Sequence, residues 1–334
     1  MSRSSRPTLA QVAELAGVSL KTASRVLNDE YGVAPATAER VTVAARSLGF
    51  RPNLLARSLA SGRPSAAVGL VIPNVADPFF GELVGGVERR LALRDLQLVI
   101  ASHHDDPVTQ RKIVRALVER RVDALLLVPA PGEASYLQVD IDHGLVVVSL
   151  DRPVIGVDVD TVIVDNRTAS AGAISELIAA GHRRIAFLAD NSQLWTMQER
   201  MAGYGLALAE ADIAEDPSLI YADCPDRETS RRAITELLAS DDPPTAVFAA
   251  HNATGREVVR AARAATVEIR LIVFDEVSDA DLLIAPPQVL RSNPELLGLT
   301  AAEMALERLD GLASAPRIVI QPVSRVDPLA WAVA

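Results

Sequence analysis

The sequence predicts a small all-α unit over residues 1–50, a linker over 51–64, and an α/β core of two doubly wound subdomains over 65–334. Three observations predict it. Apolar residues recur at helical spacing from Leu9 to Leu48, and a Pro-, Ser- and Arg-containing stretch follows. From Ala66 onward, short runs of β-branched residues alternate with amphipathic segments.

The first helix opens on a capping box, with the Thr8 hydroxyl placed for the Gln11 amide and the Gln11 side chain for the Thr8 amide. Leu9, Val12, Ala13 and Ala16 then form one apolar stripe. Gly17 stops the helix because it enters the left-handed region without a Cβ penalty, and Ser19 caps the next one. In that second helix Ala23, Val26 and Leu27 face inward, leaving Leu20, Lys21, Ser24, Arg25 and Asn28 together on the other side. A third helix starts at Pro35, turns Val41, Ala45 and Leu48 inward, and ends at Gly49. This is the pattern of a helix-turn-helix, whose second helix is offered to the DNA major groove. Charge agrees: residues 1–62 hold eight Lys+Arg against four Asp+Glu, whereas the other 272 hold 25 against 39. A chain of formal net charge −10 thus concentrates its positive charge at one end.

The linker RPNLLARSLASGRP contains a helix too short to persist alone in water, since nucleation costs more than about two turns return. It is predicted to order only on a partner. Past Pro64, AAVGLVIP, LQLVIAS and VDALLLVP read as buried parallel strands, with helices near Phe79–Leu93 and Val108–Arg120 between them. A second series runs through TVIVDN, RIAFLAD, SLIYAD, TAVFAAHN and RLIVFDE, followed by Val289–Ser292, a helix over 295–309 and the strand RIVIQ. Two such series are plausible structural duplicates with a cleft between them.

Ligands of doubly wound sheets sit beyond the strand C-termini. That rule selects Asn74, Asp77, Phe79 and Phe80 after the first strand, Ser102 and His103 after the second, and Asp151 after VVVSL. It also selects Asn191 after RIAFLAD, His251 and Asn252 after VFAA, and Asp275 after LIVF. His103 and His104 are expected to be solvated loop histidines. No metal or cofactor is expected: Cys224 is the single cysteine, and no second His/Cys cluster has ligand spacing. The chain carries no nucleophile elbow, P-loop or catalytic carboxylate pair, which argues against an enzyme. No run approaches about 18 apolar residues, and the N-terminal SRSSRPT lacks an apolar signal region, so a cytoplasmic protein without membrane contact is expected.

GVSLKTASRVLN followed by RPNLLARSLASGR resembles the DNA-binding headpiece and hinge of the LacI/GalR family of lac and purine repressors, and the likeness runs over nearly the whole chain. It implies a periplasmic-binding-protein-like core, whose halves are joined by several chain crossings. It further implies a repressor that binds a pseudo-palindromic operator as a homodimer under the control of a small-molecule effector, a sugar or related metabolite. Leu20, Lys21 and Arg25 fall at its base-reading positions; Ser19, Thr22, Ser24, Asn28 and Thr37 fall at phosphate-holding ones. Asn53, Arg57 and Leu59 lie in the hinge that enters the minor groove, Leu59 as an apolar wedge. Arg200 in QERMAGYGLAL matches the family's cleft arginine. Two departures stand out. His251-Asn252 replaces the usual Asn-Asp, and the segment before Val273 is short and lacks a Gly-x-x-Pro turn, so an altered, narrowed or lost effector pocket is the competing expectation. An exported bilobal solute-binding protein would share the core but not the headpiece.

Overall fold

A computed structural model of the chain describes residues 7–28, 31–50, 66–275 and 287–326, and the chain divides into two compact units, Met1–Ser65 and Ala66–Ala334. The small unit holds α1 (Leu9–Ala16), α2 (Leu20–Leu27) and α3 (Pro35–Leu48). Both halves of the capping box form: the Gln11 amide donates to Thr8 Oγ1 at 3.4 Å and the Thr8 amide to Gln11 Oε1 at 2.8 Å. Gly17 takes φ +63°, which ends α1, and α2 begins at once on Ser19, whose hydroxyl accepts from the Thr22 amide at 3.1 Å. The core is Val12, Ala13, Ala16, Ala23, Val41, Ala44 and Ala45. Such short side chains let the three helices cross closely; Val26, Leu27 and Leu48 close the rim half-buried.

The large unit consists of two lobes built on the same plan. In the first, β1 (Ala67–Ile72), β2 (Gln97–Ser102), β3 (Ala124–Leu127), β4 (Val146–Leu150) and β5 (Asp160–Val164) pair in the order β2-β1-β3-β4-β5. In the second, β6 (Ile185–Leu188), β7 (Ile220–Tyr221), β8 (Ala246–Ala249), β9 (Arg270–Phe274) and β10 (Gln288–Arg291) pair as β7-β6-β8-β9-β10. The duplication suggested by the two strand series is therefore present in the topology, but its boundary moves: TVIVDN, read as the start of the second series, is β5 of the first sheet, where it pairs with β4. Every one of these pairings is parallel, and the central strands β1, β3, β6 and β8 are buried and read as continuous apolar runs, while the edge strands β2 and β7 stay partly open.

Among the described residues the chain crosses between lobes three times. The first crossing follows β5 and leads into α7 (Asn166–Ala179), which packs on α8 (Trp195–Glu210) in the second lobe. After β10 the chain returns with α11 (Pro294–Leu309), which lies against α4 (Pro78–Ala92) and the first sheet, and adds β11 (Ile318–Gln321) parallel to β5. The α4–α11 approach needs glycine: a Cβ on Gly86 would meet the Glu295 carbonyl oxygen, and one on Gly298 that of Leu83. A third crossing places β12 (Ser324–Val326) antiparallel on β10. The sequence assigned no element to that segment, because a three-residue edge strand has no periodicity of its own. SLIYAD likewise gives only a two-residue strand, since Asp216 first caps a single 3₁₀ turn over Pro217–Leu219.

The other helices are α5 (Pro107–Glu119) and the short α6 (Gln138–Asp142) in the first lobe, with α9 (Arg227–Leu238) and α10 (Asn252–Ala265) in the second. Where the shortened segment precedes β9, α10 ends on Thr266 at φ +55°, a left-handed cap that usually falls to glycine.

Candidate functional site

On α2 the helical spacing puts Lys21, Arg25 and Asn28 on the face opposite Ala23, with Ser24 beside them and Leu20 on the flank one turn before Ala23. Leu20 is exposed, as is Lys21. Ser19 and Thr22 sit side by side at the helix start, their hydroxyls 2.8 Å apart, and the Asn28 amide donates to Ser24 Oγ at 3.3 Å. Arg25 bends toward the loop after α2 and donates to the Tyr31 carbonyl. Thr37 stands half-buried in the first turn of α3. A short polar row of this kind, its rotamers steadied by neighbours one turn away, suits contact with base edges and phosphates. Asn53, Arg57 and Leu59 lie outside the described residues.

In the large unit a cleft of about 460 Å³ opens at the strand C-termini of both lobes. Asn74, Asp77, Phe79, Phe80 and Asp151 reach it from the first lobe, and Arg200, His251, Asn252 and Asp275 from the second. Nine of the twelve residues selected from strand ends and from the arginine match thus line one space; Ser102, His103 and Asn191 do not. Its deepest feature is Arg200, 3% exposed. Its Nε donates to Asn166 Oδ1 at 2.8 Å and Nη1 to the Ala250 carbonyl at 2.5 Å, while Nη2 stands 3.4 Å from Asp275 Oδ2. The guanidinium also lies 3.5 Å above the Phe274 ring centroid. Asp275 is fixed from its other side by the Ser292 hydroxyl at 2.6 Å.

The backbone is strained where it meets the cleft. His104, Asp105, Asp151 and Asp275 all have φ between +52° and +64°. Left-handed non-glycine residues cost energy and cluster where geometry is imposed by function. Asp151 and Asp275 are counterparts, each directly following the fourth strand of its lobe. Burial pushes the Asp151 carboxyl upward, with Arg152 and Arg200 opposing. Burial likewise lowers Arg200, against the pull of Asp275 and Asp151.

His251 joins the two walls. Its Nε2 is 3.7 Å from Asp77 Oδ2 in the first lobe and its Nδ1 3.8 Å from Asp190 Oδ2 in the second. Burial disfavours the charged ring, yet Asp190 and Asp77 outweigh it and hold His251 above its ordinary value. Asp77 is correspondingly held low: burial raises it, but His251, the Phe79 amide and Asn252 prevail.

Several expectations need correction. His103 is fully buried rather than solvated: Nδ1 accepts from the Asp105 amide at 3.0 Å and Nε2 pairs with the Val128 carbonyl at 2.9 Å. It buttresses the turn that presents His104 and Asp105, and burial keeps its pKa low. Ser102 accepts from the Val75 amide, and Asn191 from the Gln193 amide, so both brace loops. Asp190, one residue earlier, is the cleft residue. Phe80 is buried in the first-lobe core while touching the cleft; its edge-to-face neighbour Phe79 is half-buried. Sequence reasoning missed Arg152, whose Nη1 donates to Asp105 Oδ1 at 2.6 Å, although its place directly after Asp151 in a strand-end loop was the available signal. It also missed Arg256, one helical turn beyond Asn252.

The cleft therefore sets five carboxylates, Asp77, Asp105, Asp151, Asp190 and Asp275, beside Arg152, Arg200 and Arg256. Arg152 and Arg200 are already paired with acids. Such a set accepts hydrogen bonds in excess and offers a half-apolar wall at Phe79. Among the described residues no group of His, Cys, Asp and Glu is arranged to hold a metal ion, and no helix is long and apolar enough to cross a membrane. Cys224 is buried, which pushes its thiol up to about 11.

Comparison with known proteins agrees with both halves of this geometry. Residues 8–53 match the family model of bacterial regulatory proteins, lacI family, and residues 65–324 that of periplasmic binding proteins and sugar binding domain of LacI family. The chain belongs to the LacI family. It is 32% identical to the HTH-type transcriptional regulator CelR of Thermobifida fusca, over 96% of this chain and 97% of that one. It is 33% identical to the HTH-type transcriptional regulator GalR of Escherichia coli, over 91% and 89%. A CelR–cellobiose complex superposes with a TM-score of 0.72 at 29% identity, covering 96% of this chain and 99% of the other. The lac repressor dimer bound to operator and the anti-inducer ONPF shares the fold, with a TM-score of 0.80 at 22% identity over 97% and 98%. This LacI-family chain is thus a DNA-binding transcriptional regulator of the helix-turn-helix type, with a core of the sugar-binding class.

Proposed function

We propose that the chain is a repressor that binds a pseudo-palindromic operator as a homodimer in the cytoplasm, and that a neutral, hydroxyl-rich effector in the cleft governs its occupancy. Leu20, Lys21 and Arg25 read base edges, and Ser19, Thr22, Ser24, Asn28 and Thr37 hold phosphates. The hinge residues Asn53, Arg57 and Leu59 enter the minor groove between the two half-sites. The observation that carries the regulatory half is the pairing of opposite walls, His251 of the second lobe facing Asp77 of the first at 3.7 Å. A ligand seated there touches both lobes, so it has different affinity for different lobe orientations and shifts their populations. Hydroxyl groups suit the acceptors Asp77, Asp151 and Asp275 and the donors of Arg200, and Phe79 gives a sugar ring an apolar face. A phosphate would meet acids where it needs unpaired cations.

The competing reading, a core that no longer senses a small molecule, rested on the short segment before Val273. A cleft of about 460 Å³ lies within the usual range for small-ligand sites, and this supports retained sensing. Fluorescence anisotropy of a duplex selected from a random pool, titrated with protein and then with sugars, tests the proposal. Sequence-selective binding by two protomers, altered by at least one sugar, is expected. Binding that ignores sequence removes the operator reading, and indifference to every sugar removes the effector reading.

A further inference from the structure

A side chamber of about 270 Å³ adjoins the cleft within the second lobe, between α9 and the start of α10. The two spaces share Asp190, Pro225, His251, Ala253 and Arg256. Three buried acceptors follow one another from cleft to chamber: Asn252 Oδ1, Asp190 Oδ1 and Glu257 Oε2. None has a hydrogen-bond partner among the described residues. Glu257 is the most telling. It is 4% exposed and lines only the chamber; its Oε1 takes Arg227 Nε at 3.2 Å and also Arg260, while Oε2 is left over. Leaving a buried acceptor unmade is costly, and a ligand whose hydroxyl draws Oε2, now shielded from solvent, round into the chamber relieves that cost. Cations are not in surplus, because Arg227 and Arg260 share Glu257, and Asp190 and Asp226 line the same walls. Arg256, half-buried where the spaces adjoin, offers donors to ring or linkage oxygens.

We propose that this chamber is a second saccharide subsite, so that the effector is a neutral linear disaccharide or longer oligosaccharide with one unit in the cleft and the next in the chamber. The proposal rests on the reading of the cleft as an effector site. Its test is calorimetric titration of the full chain with glucose, mannose, galactose and xylose, each beside its 1,4-linked disaccharide, with glucose 6-phosphate as an anionic arm. At least one disaccharide is expected to bind about tenfold or more tightly than its own monosaccharide. Glu257→Gln is expected to erase that advantage while monosaccharide affinity stays within about twofold. Should Glu257→Gln fail to fold, Ser230→Leu, which fills the chamber from α9, carries the same expectation. Disaccharides no tighter than monosaccharides, an advantage that survives in both variants, or preference for the phosphate overturns the second subsite and leaves the cleft reading standing. No binding by any of these sugars overturns both.

Discussion

The two units hold their functional side chains in opposite ways. In the headpiece the bonds are to sequence neighbours: Thr22 is steadied by Ser19, Asn28 by Ser24, and Arg25 by Tyr31 six residues on. In the core, Arg200 is held by Asn166, Ala250 and Asp275, which lie 34, 50 and 75 residues away. A locally braced face survives changes elsewhere and can vary one contact at a time. A cleft braced across whole lobes gives rigid, buried charges, but any member that is lost strands the others.

That contrast can be broken most forcefully at Arg200. Arg200→Ala leaves Asp275 buried without its cation and two acceptors without donors, so a loss of about 3–5 kcal/mol in core stability is expected by urea denaturation. Arg200→Lys is not expected to restore it, since an ammonium cannot reproduce the planar fork lying on Phe274. Smaller and different in kind is Arg25→Ala, which is expected to cost about 1–3 kcal/mol on a selected operator and far less on random duplex. Equal losses on both duplexes would remove Arg25 from base reading. Thr8→Ala opens the capping box and is expected to cost the headpiece about 1 kcal/mol, read by its thermal transition, with the core transition unmoved.

The smallest effect is a pH slope at His251. Its folded pKa is raised, so its protonated form stabilises the core below the ordinary histidine value of 6.5, and that contribution is lost as pH rises through the raised value. His103 acts oppositely. Burial lowers it, so it costs stability as pH falls below 6.5. The informative quantity is therefore the difference between wild type and His251→Gln, expected to shrink as pH rises; a difference independent of pH would contradict the His251 assignment.

The same contrast explains what the sequence discloses. Thr8, Gln11, Gly17 and Ser19 act through bonds within three or four residues, Pro35 through its own fixed φ at the helix start, and each element begins or ends as the sequence predicts. Strand ends were also legible, because buried parallel strands are unbroken apolar runs and the next polar residue marks the loop. Which polar residue turns into the cleft was not. Asp190 rather than Asn191 does so, and His103 rather than solvent receives the Asp105 amide, because strand twist and left-handed turns set those directions. The side chamber left no local trace either, since Glu257, Arg227 and Asp190 meet only after α9 and α10 have packed.

The proposed regulation requires that a ligand in the cleft change how tightly the headpiece holds its duplex. The direct measurement is the dissociation rate of a duplex selected by the protein, followed as the disaccharide or monosaccharide that binds the core most tightly is added to saturation. A change of at least about tenfold in that rate, abolished by Arg200→Ala in whatever protein remains folded, is the predicted result. A rate that stays the same with the cleft filled would contradict it.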